Sequence, residues 1–172
     1  PHLAYNPSAH LAIVDIVLGV ADILPIRGFG YLVPRNATNN SDEILGVIFD
    51  SDAVPNQSQR LTKLTVMMGG PYWRHRSSFP NEDDVKERAL RALHSQLGLS
   101  LLTLPSHLEN IYARVMTDTI PQYLVGHSQR MAELKAAITM HPLWRNRRSL
   151  LGYSYAGVGV TACSASAMER GE

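Results

Sequence analysis

Residues 10–18, His-Leu-Ala-Ile-Val-Asp-Ile-Val-Leu, constrain this chain more than any other stretch. Ile13, Val14, Ile16 and Val17 are β-branched; such side chains lose freedom in a helix but pack well on a pleated surface. The run predicts a strand, with apolar residues dense enough to bury much of both faces. Apolar sequence continues to Leu24, broken by Asp15, Gly19 and Asp22. Nowhere does it reach the ~18 uninterrupted apolar residues that a membrane-crossing helix needs.

Three shorter strands are predicted next. Phe29–Val33 is entered through Gly28 and closed by Pro34, which cannot donate to a ladder. Ile44–Phe49 follows a polar loop, Asn36 to Asp42, and ends at Asp50-Ser51-Asp52. Leu61–Met68 follows the polar turn Pro55 to Arg60 and stops at Gly69-Gly70. With Leu11–Leu18 these runs suggest a meander in one sheet.

Helical signals come later. Val85, Ala89, Leu93 and Leu97 recur every four residues and mark one buried face. Asn81 is placed to cap that helix, Glu82, Asp83 and Asp84 suit its positive end, and Gly98 suits its termination. After a loop through Pro105, Ile111 to Met116 reads as a strand. Met131, Leu134 and Ile138 mark a second helix over about 127–140, ended by Pro142. An apolar segment, Leu150 to Tyr155, leads through Gly157-Val158-Gly159 into a short helix of small residues. There is no internal repeat and no low-complexity tract.

Composition excludes several classes of function. Of 172 residues 45% are apolar and 18% charged, enough for a packed core and unlike a disordered chain. Sixteen Lys and Arg against fifteen Asp and Glu leave a formal charge of +1, with no basic surplus for a nucleic acid. The single cysteine, Cys163, cannot form an internal disulfide. The seven histidines form no His-x-x-x-His pair for a metal, and no Gly-x-Ser-x-Gly nucleophile motif exists. Asn36-Ala-Thr38, Asn39-Asn-Ser41 and Asn56-Gln-Ser58 match the glycosylation pattern, and polar loop sequence accounts for them equally. The chain starts at Pro1 without a methionine or a targeting pattern, which is expected of a fragment.

Four features could carry chemistry. Gly157-Val-Gly159-Val-Thr-Ala162 matches the G-x-G-x-x-G/A pattern of dinucleotide-binding turns. Only ten residues follow Ala162, too few for the second strand and acidic residue of a full dinucleotide-binding unit. The turn is either plain or faces a ligand with backbone N–H groups. Gly28-Phe-Gly30-Tyr31 is a bend or a place where a flat ligand meets backbone. Met67-Met68-Gly69-Gly70 pairs adaptable thioethers with open backbone, as core or as pocket. Arg145-Asn-Arg147-Arg148 is a solvated loop or a contact for an acidic membrane surface.

Five stretches carry a resemblance when taken together and in order. They are Gly28-Phe-Gly-Tyr-Leu-Val-Pro34, Leu45-Gly-Val-Ile-Phe-Asp-Ser51, Leu64-Thr-Val-Met-Met-Gly-Gly70, Ile120-Pro-Gln-Tyr-Leu-Val-Gly-His127 and Tyr155-Ala-Gly-Val-Gly-Val160. The chain resembles the C-terminal part of the oxygen-dependent protoporphyrinogen oxidases, most closely fungal ones, within the flavin-containing amine oxidase group. The resemblance implies an α+β fold, an incomplete piece of a two-domain FAD oxidoreductase. Residues 1–152 would be its substrate-binding sheet and flanking helices, residues 153–172 its C-terminal FAD-contacting turn and helix, with the N-terminal FAD domain missing.

It also implies noncovalent FAD, protoporphyrinogen IX and O2 as substrates, and a place in haem biosynthesis. Location at the mitochondrial inner membrane with peripheral attachment follows by resemblance, which also allows a homodimer; no nucleic acid is implied. Phe29, Gly30, Leu32, Ile48 and Met67 fall on positions that line the family's porphyrinogen pocket, and Gly157, Val158, Gly159 and Val160 on its FAD-contacting segment. No residue is implied as catalytic, and the isolated chain is expected to be inactive. The family usually continues with Asn-Asp-Cys where this chain has Thr161-Ala162-Cys163, and some members carry tryptophan in place of Ser128. Two other readings stay open at this level: another flavin amine oxidoreductase, and a noncatalytic tetrapyrrole-binding module.

Overall fold

A computed structural model describes residues 6–54, 60–100, 104–145 and 147–169. Five strands form one sheet: β1 (Ser8–Leu18), β2 (Gly30–Leu32), β3 (Ile44–Ile48), β4 (Thr62–Gly69) and β5 (Leu108–Pro121), in the order β2-β3-β4-β1-β5. The helices are α1 (Asp50–Ala53), α2 (Glu82–Leu97), α3 (Leu104–His107), α4 (His127–Met140) and α5 (Val160–Met168). The expected mixed α+β architecture is present. Only β2, β3 and β4 follow one another as a meander, because β1 inserts between β4 and β5. Two compact units divide the chain, one of residues 10–117 and one of residues up to 9 with those from 118 onward.

In the first unit strict alternation builds the core. Ala12, Val14, Ile16 and Leu18 of β1 are fully buried with Leu64, Val66 and Met68 of β4. Val85, Ala89, Ala92, Leu93 and Leu97 of α2 complete the same cluster. The expected burial of both faces of β1 is corrected: Ile13, Asp15 and Val17 are only half-buried, since α2 covers one side. α2 itself follows its sequence signals closely. The Asn81 side chain accepts from the Asp84 amide, Asp84 returns the bond, and Gly98 ends the helix at φ 70°.

A bulge sets the face of β3. Ile44 pairs with Met68, but Gly46 pairs with Met67, so one extra residue is accommodated at Leu45. Ile44 therefore points into the core while Ile48 points to the other face. The polar Asp50-Ser51-Asp52 segment forms α1, a single helical turn not expected from the sequence. Residues 55–59, most of the expected polar turn, lie outside the described residues.

In the second unit α4 occupies the span its spacing predicts. Leu150–Tyr155 is not extended but bends and turns, so the glycine turn before α5 is not entered from a strand. β5, of which residues 108–117 belong to the first unit, is much longer than the expected Ile111–Met116; Ala113 and Pro121 are its only buried residues, so little apolar periodicity marks its extent.

Candidate functional site

The first candidate surface is the face of the sheet that α2 leaves open. Register decides its membership, because directly paired residues point to the same side. Gly30 pairs with Ile48, Leu32 with Gly46, Gly46 with Met67, and Ile48 with Thr65. Thr65 and Met67 pair in turn with Asp15 and Ile13. Gly30, Leu32, Ile48 and Met67 thus share one face, with Ile48 and Met67 as diagonal neighbours. Tyr31 is on the other side, where its hydroxyl donates to Gln96 at 2.7 Å and burial pushes its pKa up to about 12.

Phe29 lies just outside β2. Asp52 of α1 accepts from the Gly28 amide at 3.0 Å and meets Arg27 at 2.9 Å, while the Phe29 carbonyl accepts from Phe49 N–H at 2.9 Å. Backbone and acidic side chain therefore fix this segment, yet the Phe29 ring is 72% exposed and Leu32 is 79% exposed. The two methionines separate cleanly: Met68 is fully buried core, and Met67 is half-buried on the open face.

The glycines on this face serve the backbone. Gly30 has φ +142°, and a Cβ there would come within 2.1 Å of the Val47 carbonyl oxygen. A Cβ at Gly46 would meet the Tyr31 carbonyl oxygen at 2.5 Å. Both glycines let β2 and β3 approach each other, a local requirement independent of any ligand.

A polar centre missed by the sequence reading interrupts the open face. Thr65 Oγ1 lies 2.9 Å from Asp15 Oδ1 and 2.8 Å from Asp50 Oδ2. One hydroxyl has one proton to donate, so the two carboxyls share a single donor. Asp50 is the group held above the ordinary carboxylate range, first by burial and further by Asp15. No local sequence signal could have shown this, because Asp15 and Thr65 are 50 positions apart.

The second candidate surface surrounds the glycine turn. Gly159 precedes α5 as its cap residue and supplies no side-chain hydrogen bond. The first N–H groups of α5 have no partner within the helix. Beside them, a cavity of about 390 Å³ is lined by Thr119, Ile120, Pro121, Tyr153, Val158, Val160, Cys163 and Ser164. Gly157 is needed for packing, since a Cβ there would sit 2.5 Å from Ala162 Cβ, whereas Gly159 has open space around it. An apolar cavity with backbone N–H groups at its edge has the chemistry to take one side of an aromatic heterocycle.

His127 anchors the approach to this turn. Its Nδ1 accepts from Asn6 at 3.1 Å, and its Nε2–H donates to the Tyr155 carbonyl at 2.9 Å. Both ring nitrogens are therefore engaged. Tyr123 stacks on the ring at 3.9 Å and donates its hydroxyl to the Tyr153 carbonyl. The strand-end segment thus holds two carbonyls of the loop that leads to Gly157. Among the described residues no group of three or more His, Cys, Asp or Glu side chains could hold a metal ion.

Known proteins match this chain in sequence and in fold. No protein-family model matches it. Protoporphyrinogen oxidase of Schizosaccharomyces pombe is 36% identical over 160 residues, 92% of this chain and 31% of that protein. The human protoporphyrinogen oxidase is 34% identical over 145 residues, 81% of this chain and 28% of that protein. A solved structure from Exiguobacterium sp. 255-15, provisionally assigned as a protoporphyrinogen oxidase, superposes with a TM-score of 0.72. It shares 23% identity and covers 96% of this chain but 34% of its own, which supports the fold. The chain spans under a third of the length of the curated relatives it matches. By sequence and by fold it belongs with a segment of the protoporphyrinogen oxidases, about a third of one in length.

Proposed function

We propose that this segment works within an oxygen-dependent protoporphyrinogen oxidase, its open sheet face meeting the porphyrinogen and its α5 turn meeting FAD. The observation that carries the proposal is the shared face of Gly30, Leu32, Ile48 and Met67 in a chain 36% identical to such an enzyme. Bound noncovalently, FAD would supply the redox chemistry, taking hydrogen from protoporphyrinogen IX and passing it to O2 to give hydrogen peroxide.

The chain's own residues bind and orient. Ile48 and Met67 offer apolar contact to a flat macrocycle, and Leu32 and Phe29 extend that contact at the β2 edge. Gly30 and Gly46 add no side chain that would lift the ring from the strands. Gly157 and Gly159 keep the start of α5 open, while Val158 and Val160 line the cavity beside it. By the same reading the longer protein acts in haem biosynthesis, peripherally attached at the mitochondrial inner membrane, with a homodimer as the assembly to test. Among the described residues no helix is long and apolar enough to cross a membrane.

A chimera tests the proposal: the S. pombe enzyme with its matching segment replaced by these residues. It should retain flavin and oxidise protoporphyrinogen IX, and Ile48→Arg with Met67→Arg should abolish oxidation while flavin stays bound. A folded, flavin-loaded chimera that oxidises equally well with both arginines would overturn the assignment of the face.

A further inference from the structure

We infer that Asp15 and Asp50, bridged by Thr65, set the specificity of the open sheet face by accepting hydrogen bonds from the pyrrole N–H groups of a reduced cyclic tetrapyrrole. The inference rests on the proposed function for the macrocycle and adds which of its redox forms the face selects. Position is the first observation. Thr65 pairs with Ile48 of β3 and with Asp15 of β1, and Met67 is two residues along the same strand. Ile13 and Val17 stand two residues to either side of Asp15. Asp50 reaches the same spot from α1, its Oδ2 2.8 Å from Thr65 Oγ1. One polar spot is thus set among Ile13, Val17, Ile48 and Met67 on a single face.

The second observation is acceptor capacity. An ionised carboxylate offers about four lone-pair sites, and the Thr65 hydroxyl brings one proton to the two of them. Asp15 also acts on Asp50 as a like charge, while Lys63, two residues before Thr65 on β4, offsets it by less. Asp15, Thr65 and Asp50 are all half-buried, so their oxygens are partly withdrawn from water and still open to a ligand. An N–H donor arriving there makes charge-assisted hydrogen bonds and relieves the repulsion between the acids.

A porphyrinogen carries donors where this face carries acceptors. Saturated carbons join its four pyrroles, so the rings can tilt and turn several N–H groups toward one side. Its methyl and vinyl groups are apolar and suit the four apolar side chains around the acids. Oxidation makes the macrocycle conjugated and flat, and its two remaining N–H groups then point into the ring centre. An acceptor beneath the face no longer reaches them. Apolar contact alone would hold both forms; acceptors left unpaired by the flat form count against it. The acids therefore favour the substrate over its own product.

The test uses the chimera with its flavin reduced and oxygen excluded, so that protoporphyrinogen IX binds without being oxidised. Fluorescence of protoporphyrin IX reports its own binding, and protoporphyrinogen IX is measured by displacing it. Asp15→Asn with Asp50→Asn keeps the shapes and removes the charges. It should weaken protoporphyrinogen IX by about ten- to a hundredfold and leave protoporphyrin IX unchanged. Each single variant should fall in between and decides the matter if the double variant does not fold; circular dichroism and retained flavin check folding. Equal weakening of both forms, or of neither, overturns the inference, because a purely structural role does not tell the two forms apart. Ile48→Arg with Met67→Arg should weaken both forms. If it does while the asparagines leave the preference intact, this inference alone fails. If the arginines weaken neither form, the assignment of the face fails and takes the inference with it.

Discussion

Thr65 Oγ1 and Asp50 Oδ2 stand 2.8 Å apart, joining β4 to the helical turn that follows β3. Thr65 also meets Asp15, so one hydroxyl serves two carboxyls, and burial holds Asp50 above the ordinary carboxylate range against the pull of the Thr65 hydrogen bond. A carboxyl whose pKa is raised on folding contributes stability that is full below the unfolded value, about 3.9. That contribution is lost as pH rises through the raised folded value. Asp50→Asn removes this group, so its thermal midpoint relative to wild type should rise with pH from about 4 and level off above the raised folded value. A difference between the two midpoints that does not change with pH would mean that folding does not raise Asp50.

Gly30 and Leu32 should separate folding from binding. An alanine at Gly30 meets the Val47 carbonyl and a φ that side chains rarely adopt. Gly30→Ala should cost about 1–3 kcal/mol of stability through overpacking and strain. Leu32 is largely exposed, so Leu32→Ala should stay within about 0.5 kcal/mol. In the chimera, Leu32→Ala should raise KM for porphyrinogen without loss of flavin. Melting of both variants, with kinetics of the second, checks the pair.

How legible this was depends on how local each signal is. α2 could be read from Asn81, the acidic first turn, the four-residue apolar spacing and Gly98, all within one helix. The open face could not be read the same way. Ile44 and Ile48 are four positions apart, so simple alternation puts them on one side, and the Leu45 bulge separates them. β1 reads as buried on both faces because Ile13 and Val17 are apolar, although α2 covers only the other side. Asn6 and His127 are 121 positions apart and have no local signature at all.

The Asn81 cap gives a direct measure of α2. Its side chain and that of Asp84 satisfy each other's backbone N–H groups. Asn81→Ala should cost about 1 kcal/mol, within the usual range of 0.5–2 for such caps. Asp84→Ala should cost less, since Asn81 would still hold one amide. Denaturant unfolding of both variants checks the order.

His127→Phe should loosen the approach to the α5 turn without removing the ring that Tyr123 stacks on. The Tyr155 carbonyl and the Asn6 amide would each lose a partner, a cost of about 1–3 kcal/mol for a buried polar group left unmade. Amide hydrogen exchange should accelerate through residues 153–159 more than in α2. Uniform acceleration across both units would mean that the variant acts on global stability instead.

The α5 turn by itself should not retain FAD. A helix start contributes about 0.3–1 kcal/mol of dipole interaction, and ~2 at most. Holding a free cofactor must offset roughly 4–15 kcal/mol of lost translational and rotational freedom. The cavity beside Val158 and Val160, about 390 Å³, has room for part of a flavin ring. Adenosine and pyrophosphate ordinarily take their contacts from a strand–turn–helix cradle, and here the glycine turn is preceded by bends rather than a strand. The 172-residue chain should therefore show no saturable quenching of flavin fluorescence at micromolar FAD, while the chimera should copurify with flavin. Saturable micromolar binding by the chain alone would make it an independent flavin module, with more of the cofactor held by these residues than the α5 turn accounts for.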